Sequence, residues 1–105
     1  NIRAMSITGK KYQLDFGIAK AILHIESDTQ LTFTITEKGG EKVNVVETVA
    51  IQLTELRPQL YMVTWQEQSG TTVSQVHDYE KGIIYSNWTS PAGEFSHAKG
   101  TISLV

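Results

Sequence analysis

Short segments rich in β-branched residues alternate with turn signals along this chain. The clearest is Leu31–Thr36, where apolar and polar residues alternate as they do in a half-buried strand. The Lys38-Gly39-Gly40-Glu41 segment follows, and its two glycines accept the positive φ angles of a type I′ hairpin turn. Thr, Ile and Val make up 30 of the 105 residues, and such side chains favour pleated strands. The pattern therefore predicts an all-β fold.

Turn signals divide the chain into eight predicted strands at intervals of about 8–14 residues. The fourth is the most ambiguous, because a helical spacing also fits Val45, Val46, Val49 and Leu53, but its valines favour a strand. Such regular spacing is typical of a sandwich or an up-and-down barrel. A closed eight-stranded barrel is either filled by its own side chains or holds one small ligand. The predicted strands are Tyr12–Phe16, Ala21–Ile25, Leu31–Thr36, Val43–Leu53, Leu60–Glu67, Thr71–Tyr79, Ile83–Thr89 and Phe95–Leu104.

Length, charge and cysteine content exclude several classes of protein. The 105 residues suffice for one domain, which we expect to span residues 5–105, with residues 1–4 a remnant of cloning and Met5 the natural start. A net charge of −2 argues against a nucleic-acid or anionic-membrane surface. No apolar segment is long enough to cross a bilayer, and the first residues lack the pattern of a secretory leader. Without cysteines there are no disulfides or thiolate sites, and a cytoplasmic location is expected.

The usual signatures of metal and nucleophile chemistry are missing from the sequence. His24, His77 and His97 lie on three different predicted strands, and no two have the spacing of ligands on one face. No G-x-S-x-G nucleophile elbow and no glycine-rich phosphate loop occurs. We therefore predict no metal and no other cofactor.

One carboxylate has a more suggestive context. Tyr61, Val63, Trp65 and Glu67 share one face of a predicted strand, because successive side chains alternate. If that face is the barrel interior, Glu67 lies at the rim of an apolar pocket, where burial would raise its pKa and suit it to proton transfer. The alternative, which the pattern alone favours, is a solvated Glu67 that begins the next turn.

Aromatic residues are concentrated in the second half of the chain. They could line a pocket for a planar ligand, with hydroxyl and indole N–H groups that orient it. They could equally be core and cross-strand packing. The residues concerned are Tyr61, Trp65, Tyr79, Tyr85, Trp88 and Phe95.

The segment Leu60–Ser74 (LYMVTWQEQSGTTVS), followed by Gly82–Tyr85, resembles a motif of two related protein groups. One is the MoaF-like family, named for a molybdenum cofactor biosynthesis gene cluster, and the other is the phenolic acid decarboxylases. Both are calycins, so the resemblance implies a small lipocalin-like antiparallel β-barrel around an internal pocket. The MoaF-like resemblance extends over nearly the whole chain and includes the segments Gly9–Gly17, Glu26–Phe33 and Gly93–Thr101.

The resemblance to the decarboxylases is confined to the W-x-E-x-x-G-T-x-V core and the following hairpin. It implies that the catalytic carboxylate falls on Glu67 and the pocket threonine on Thr71. The chain departs from that group elsewhere, because its first strand has no Tyr-x-Tyr pair and Asn44 or a neighbour stands where an arginine would be needed. The resemblance therefore implies a shared pocket rather than hydroxycinnamate decarboxylation.

Three functions are consistent with the sequence. The first is a small calycin that binds one organic ligand in its barrel, with aromatic walls from Trp65, Tyr85 and Trp88 and polar contacts from Glu67 and the residues Tyr12, Thr71 and His77. The second is a metal-free lyase, isomerase or cyclase with Glu67 as general acid or base. The third is a non-catalytic interaction module with a filled barrel, for which no cavity above about 300 Å³ would be expected. Expected partners are the ligand and, if the barrel has an open side, a second copy of the chain; neither nucleic acid nor membrane is expected.

Overall fold

The computed structural model describes residues 7–105, which form eight β-strands. The all-β prediction is confirmed, and the ambiguous fourth segment is a strand of 17 residues. The expectation about residues 1–4 lies outside the described residues. Within residues 7–105 no helix is long and apolar enough to cross a membrane. The strands are β1 (Lys10–Asp15), β2 (Ala19–Ile25), β3 (Gln30–Lys38), β4 (Glu41–Arg57), β5 (Leu60–Gln66), β6 (Thr72–Asp78), β7 (Ile83–Thr89) and β8 (Phe95–Leu104).

The sheet closes on itself into an antiparallel barrel. Each strand pairs with the next along the chain, and β8 pairs with β1. This closing seam runs from Tyr12 opposite Leu104 to Asp15 opposite Thr101. Of the two architectures that the strand spacing allowed, the barrel is therefore the correct one, and among residues 7–105 closure leaves no strand without a partner on either side.

Alternation along each strand determines which side chains enter the barrel. Leu14, Leu23, Leu31 and Ile84 are almost completely buried, and their sequence neighbours on the same strands are more exposed. Val63 on β5 is also fully buried. These residues fill the middle of the barrel. Because side chains alternate along a strand, the residues two positions before and after each of them also face the interior.

Tight turns define one end of the barrel. Gly39 and Gly40 have φ angles of 62° and 81°, as expected for the hairpin between β3 and β4. The Gly39 N–H donates to the carbonyl oxygen of Ile18, in the β1–β2 turn, at 2.8 Å. At the same end the β5–β6 turn is closed by a hydrogen bond of 2.8 Å from the Glu67 N–H to the Thr71 carbonyl. These three turns form what we call the mouth.

Candidate functional site

The larger of two cavities opens at the mouth and extends into the barrel. Its volume is about 670 Å³, within the range of about 300–1,000 Å³ typical of small-molecule pockets. Leu14, Leu23, Phe33 and Val73 form apolar walls, and Ile18 lies at the rim. Side chains therefore leave the mouth end of the barrel open.

Four of the residues predicted to form a site line this cavity together: Trp65, Glu67, Thr71 and Trp88. The register explains the grouping, because Val73 lies opposite Trp65 on one side and opposite Trp88 on the other. The Trp65 ring stacks on Phe33 with their centroids 6.1 Å apart. Two tryptophans and one phenylalanine thus line a cavity wall close to the mouth.

Glu67 is half-buried at the mouth, and its carboxylate is oriented by Trp65. The Trp65 Nε1–H donates to Glu67 Oε2 at 3.3 Å. Burial raises the pKa of Glu67, the charge of Glu47 raises it further, and the Trp65 hydrogen bond partly opposes both. Glu67 is thus neither fully solvated nor fully buried, and its carboxyl group lies where it faces both the cavity and solvent.

Trp65 should report the ionisation of Glu67. In a Trp88→Phe background, which leaves Trp65 as the only tryptophan, we expect the emission to change with a pH midpoint above 4.5, the ordinary value for this carboxyl. Glu47→Gln should move the midpoint down, because it removes a charge that opposes ionisation of Glu67. Glu67→Gln should abolish the transition, and a transition that persists in that variant would assign it to another group.

Three predicted site residues lie elsewhere. Tyr85 is 47% exposed on the outside of β7, beneath the Lys99 ammonium group at 5.8 Å. Its assignment to the pocket wall is corrected, because Ile84 and Ser86 on either side both face inward. Tyr12 lies at the other end of the barrel, where its hydroxyl donates to the Ile7 carbonyl at 3.1 Å. His77 is fully buried between the two ends.

A smaller cavity of about 470 Å³ lies at that other end. Tyr12, Tyr61 and Tyr79 line it, with the Tyr12 and Tyr79 rings 5.0 Å apart. Burial, reinforced by Tyr61, raises the pKa of Tyr12 to about 12, so its hydroxyl stays protonated at neutral pH. Tyr12 and Glu67 therefore belong to different cavities and do not form one site.

A chain of polar side chains connects the two ends through the barrel interior. The His77 Nδ1 lies 2.9 Å from the Tyr79 hydroxyl, and its Nε2 lies 2.8 Å from Gln75 Oε1. Gln75 Nε2 donates in turn to Ser86 Oγ at 3.1 Å. Gln75 and Ser86 are buried and line the larger cavity, and the sequence prediction missed both. Strand alternation could have indicated Gln75, because it lies on the same strand face as Val73 and His77.

Metal ligands do not converge in the described part of the chain. Residues 7–105 contain no group of three or more His, Asp or Glu side chains arranged to hold a metal ion. The resemblance to the decarboxylases also fails to extend to their other site residues. Asn44 is exposed on β4, and no arginine is among the described residues that line the larger cavity.

Comparisons with known proteins agree with the fold. A crystal structure of a Burkholderia vietnamiensis protein, provisionally named a beta-lactamase, superimposes with a TM-score of 0.87 at 19% sequence identity, over 94% of this chain and 95% of that one. At this identity the likeness shows a shared barrel only. Comparison with curated protein sequences gave no significant match. The model of the MoaF-like family matches residues 8–103. Because this match covers almost all of the barrel, the chain belongs to the MoaF-like family.

Proposed function

We propose that this protein binds one small organic ligand inside the larger cavity. The observation that carries the proposal is the cavity itself, since side chains leave about 670 Å³ open at the mouth end of the barrel. A barrel that served only as an interaction module would be expected to fill this space. The strands that line the cavity would shield the inner part of a bound ligand from water.

The lining favours a ligand with a flat apolar body. Trp65 and Phe33 offer stacked aromatic rings, while Leu14, Leu23 and Val73 offer aliphatic surface. Polar groups are concentrated at the mouth, among them Glu67, Thr71, His97, Lys20 and Lys38. Lys20 is already paired with Glu37 at 3.3 Å, so Lys38 is the lysine of this set better placed to meet an acidic group on the ligand. Small aromatic compounds, with or without an acidic group, are therefore the first candidates.

A thermal-shift screen tests the proposal. The probes are small aromatic and aliphatic acids, hydroxycinnamates included, together with their neutral counterparts. A compound present at 100 times its dissociation constant adds about 2.7 kcal/mol to the free energy of unfolding. For a domain of this size the melting temperature should rise by roughly 10 °C or more. Trp65→Leu should weaken a genuine hit by removing its aromatic wall.

Tyr85→Leu is the matched control, because it removes an aromatic ring from the outside of the same barrel. Binding that is lost in Tyr85→Leu but kept in Trp65→Leu would place the ligand outside the barrel. A uniformly flat screen would argue for the interaction-module alternative.

A second candidate is an enzyme that uses Glu67 as general acid or base. The raised pKa of Glu67, its hydrogen bond from Trp65 and its position at the cavity rim favour this role. If a ligand found in the screen is turned over, we expect a pH–rate profile with a limb that disappears in Glu67→Gln. Turnover that keeps this limb in Glu67→Gln would exclude the role, and binding without turnover would leave the protein a ligand carrier.

A further inference from the structure

The polar chain inside the barrel ends at the floor of the larger cavity. Gln75 and Ser86 lie opposite each other on β6 and β7 and line the cavity. The next pair along these strands, His77 opposite Ile84, is fully buried and does not line it. Gln75 and Ser86 are thus the deepest polar groups that a ligand entering from the mouth would meet.

The hydrogen bonds of this chain all run in one direction. Gln75 uses its amide N–H toward Ser86, so its carbonyl oxygen accepts from His77 Nε2. His77 then has no hydrogen on Nδ1, which accepts from the Tyr79 hydroxyl. Tyr79 begins the chain as a donor, His77 and Gln75 each accept one hydrogen bond and donate another, and the orientation of the Gln75 amide determines this order.

This direction leaves a donor at the cavity floor. The Ser86 oxygen accepts from Gln75, and no other described side chain forms a hydrogen bond with Ser86. The hydroxyl hydrogen of Ser86 and the second amide hydrogen of Gln75 are therefore available to a ligand. The lining residues around these two donors, Leu14, Leu23 and Ala98, have apolar side chains. No strong acceptor such as a carboxylate therefore lies among them.

The absence of charged groups from the described residues that line the floor further restricts which hydrogen-bond acceptor of a ligand can bind there. Both floor residues are buried, and the charged groups of the lining lie at the mouth. Glu67 lies four residues beyond Val63, the β5 partner of Gln75, or about 13 Å along the strand. A carboxylate at the floor would have no cation to compensate its lost hydration, whereas a neutral carbonyl oxygen needs only donors.

We propose that Ser86 and Gln75 form a donor site at the floor of the larger cavity that recognises an uncharged carbonyl oxygen of the ligand. The ligand class is accordingly a small aromatic ketone, aldehyde or amide that enters with its carbonyl group first. This assignment rests on the proposed function and specifies the chemistry of the same cavity.

Three naphthalene probes test the assignment: 2-acetylnaphthalene, the nearly isosteric 2-isopropylnaphthalene, and 2-naphthoate. Dissociation constants are measured by quenching of tryptophan emission. The ketone should bind about tenfold more tightly than the hydrocarbon, the effect of about one buried hydrogen bond. Ser86→Ala should reduce this preference without weakening the hydrocarbon, because only the Gln75 amide hydrogens then remain as donors, and Ser86→Thr, which keeps a hydroxyl, should retain it. Naphthoate should be insensitive to Ser86→Ala, because its carboxylate stays at the mouth.

The outcomes separate this assignment from the proposed function. Equal binding of ketone and hydrocarbon would overturn the donor site while leaving the cavity a ligand site. A loss of naphthoate affinity in Ser86→Ala as large as that of the ketone would overturn the preference for an uncharged group. Binding of none of the probes would count against both proposals. Independently of any ligand, ¹⁵N NMR should show His77 protonated on Nε2, and protonation on Nδ1 would reverse the chain and overturn the assignment.

Discussion

Gly100→Ala is expected to lower the free energy of unfolding by about 3 kcal/mol, the upper end of what overpacking usually costs. A Cβ atom at position 100 would overlap the carbonyl oxygen of Asp15 and would lie 2.8 Å from Cδ1 of Phe16. Asp15 pairs with Thr101 in the seam between β1 and β8 that closes the barrel. Because the obstacle is backbone, a side-chain rotation cannot remove it, and the seam itself has to move.

Denaturant unfolding measures the effect, and the melting temperature should fall by roughly 10–20 °C. Ser103→Ala, an exposed substitution on the same strand and in the same seam, is the matched control and should change stability by less than about 0.5 kcal/mol. A Gly100→Ala variant as stable as the control would mean that the barrel does not need this close approach. Further loss of the seam would show as a shallower denaturant dependence of the remaining transition, because a folded state with an open seam has less surface left to expose.

Local patterns predicted the strands well, because alternation and turn chemistry are local properties. Leu31–Thr36 and Gly39-Gly40 contain the information for a strand and a hairpin within a few residues, and both features are present. Barrel closure is different, since it depends on the pairing of β1 with β8 across the whole length of the chain. The requirement for glycine at position 100 follows from that pairing and has no local signal.

The candidate site was predictable only in part, for a related reason. Trp65 and Glu67 are two positions apart on one strand face, so strand alternation predicted that they lie close together. The adjoining tight turn brings Thr71 near them. Tyr85 was assigned to the pocket wall because it is aromatic. Strand alternation instead places it on the outside of the barrel, since its neighbour Ile84 faces inward. Ser86 resembles a surface residue in sequence, and its role depends on the register that sets it opposite Gln75.

Buried polar groups usually reduce stability unless each hydrogen bond is satisfied. His77 has both ring nitrogens within hydrogen-bond distance of a partner, at 2.9 and 2.8 Å, so its neutral form is accommodated without an unpaired atom. A proton on the second nitrogen would break the bond from Tyr79, whose hydroxyl would then have to reverse. Burial accordingly lowers the pKa of His77 to about 3. The same arrangement that presents a donor to the larger cavity therefore makes the fold sensitive to acid.

Stability should fall as the pH drops below about 6.5, and His77 should account for much of the loss. The unfolded chain takes up a proton on this histidine near its ordinary pKa of 6.5, whereas the folded protein does so only near 3. Between these values the unfolded state binds more protons, so the free energy of unfolding decreases with falling pH by about 1.4 kcal/mol per unit. From pH 7.5 to 4.5 the expected contribution is about 2.7 kcal/mol.

Comparison of the native protein with His77→Gln isolates this contribution from that of the carboxyl groups. The titratable side chain in hydrogen-bond contact with His77 is that of Tyr79, whose pKa burial raises above its ordinary value of 10, so it does not ionise in this pH range. The native protein should lose about 2.7 kcal/mol more than His77→Gln between pH 7.5 and 4.5, measured by urea unfolding at each pH. His97→Gln, which changes an exposed histidine at the mouth, should retain the native pH dependence. Parallel pH profiles for the native protein and His77→Gln would mean that His77 is protonated within the fold, and the directed chain from Tyr79 to Ser86 could not then exist as described.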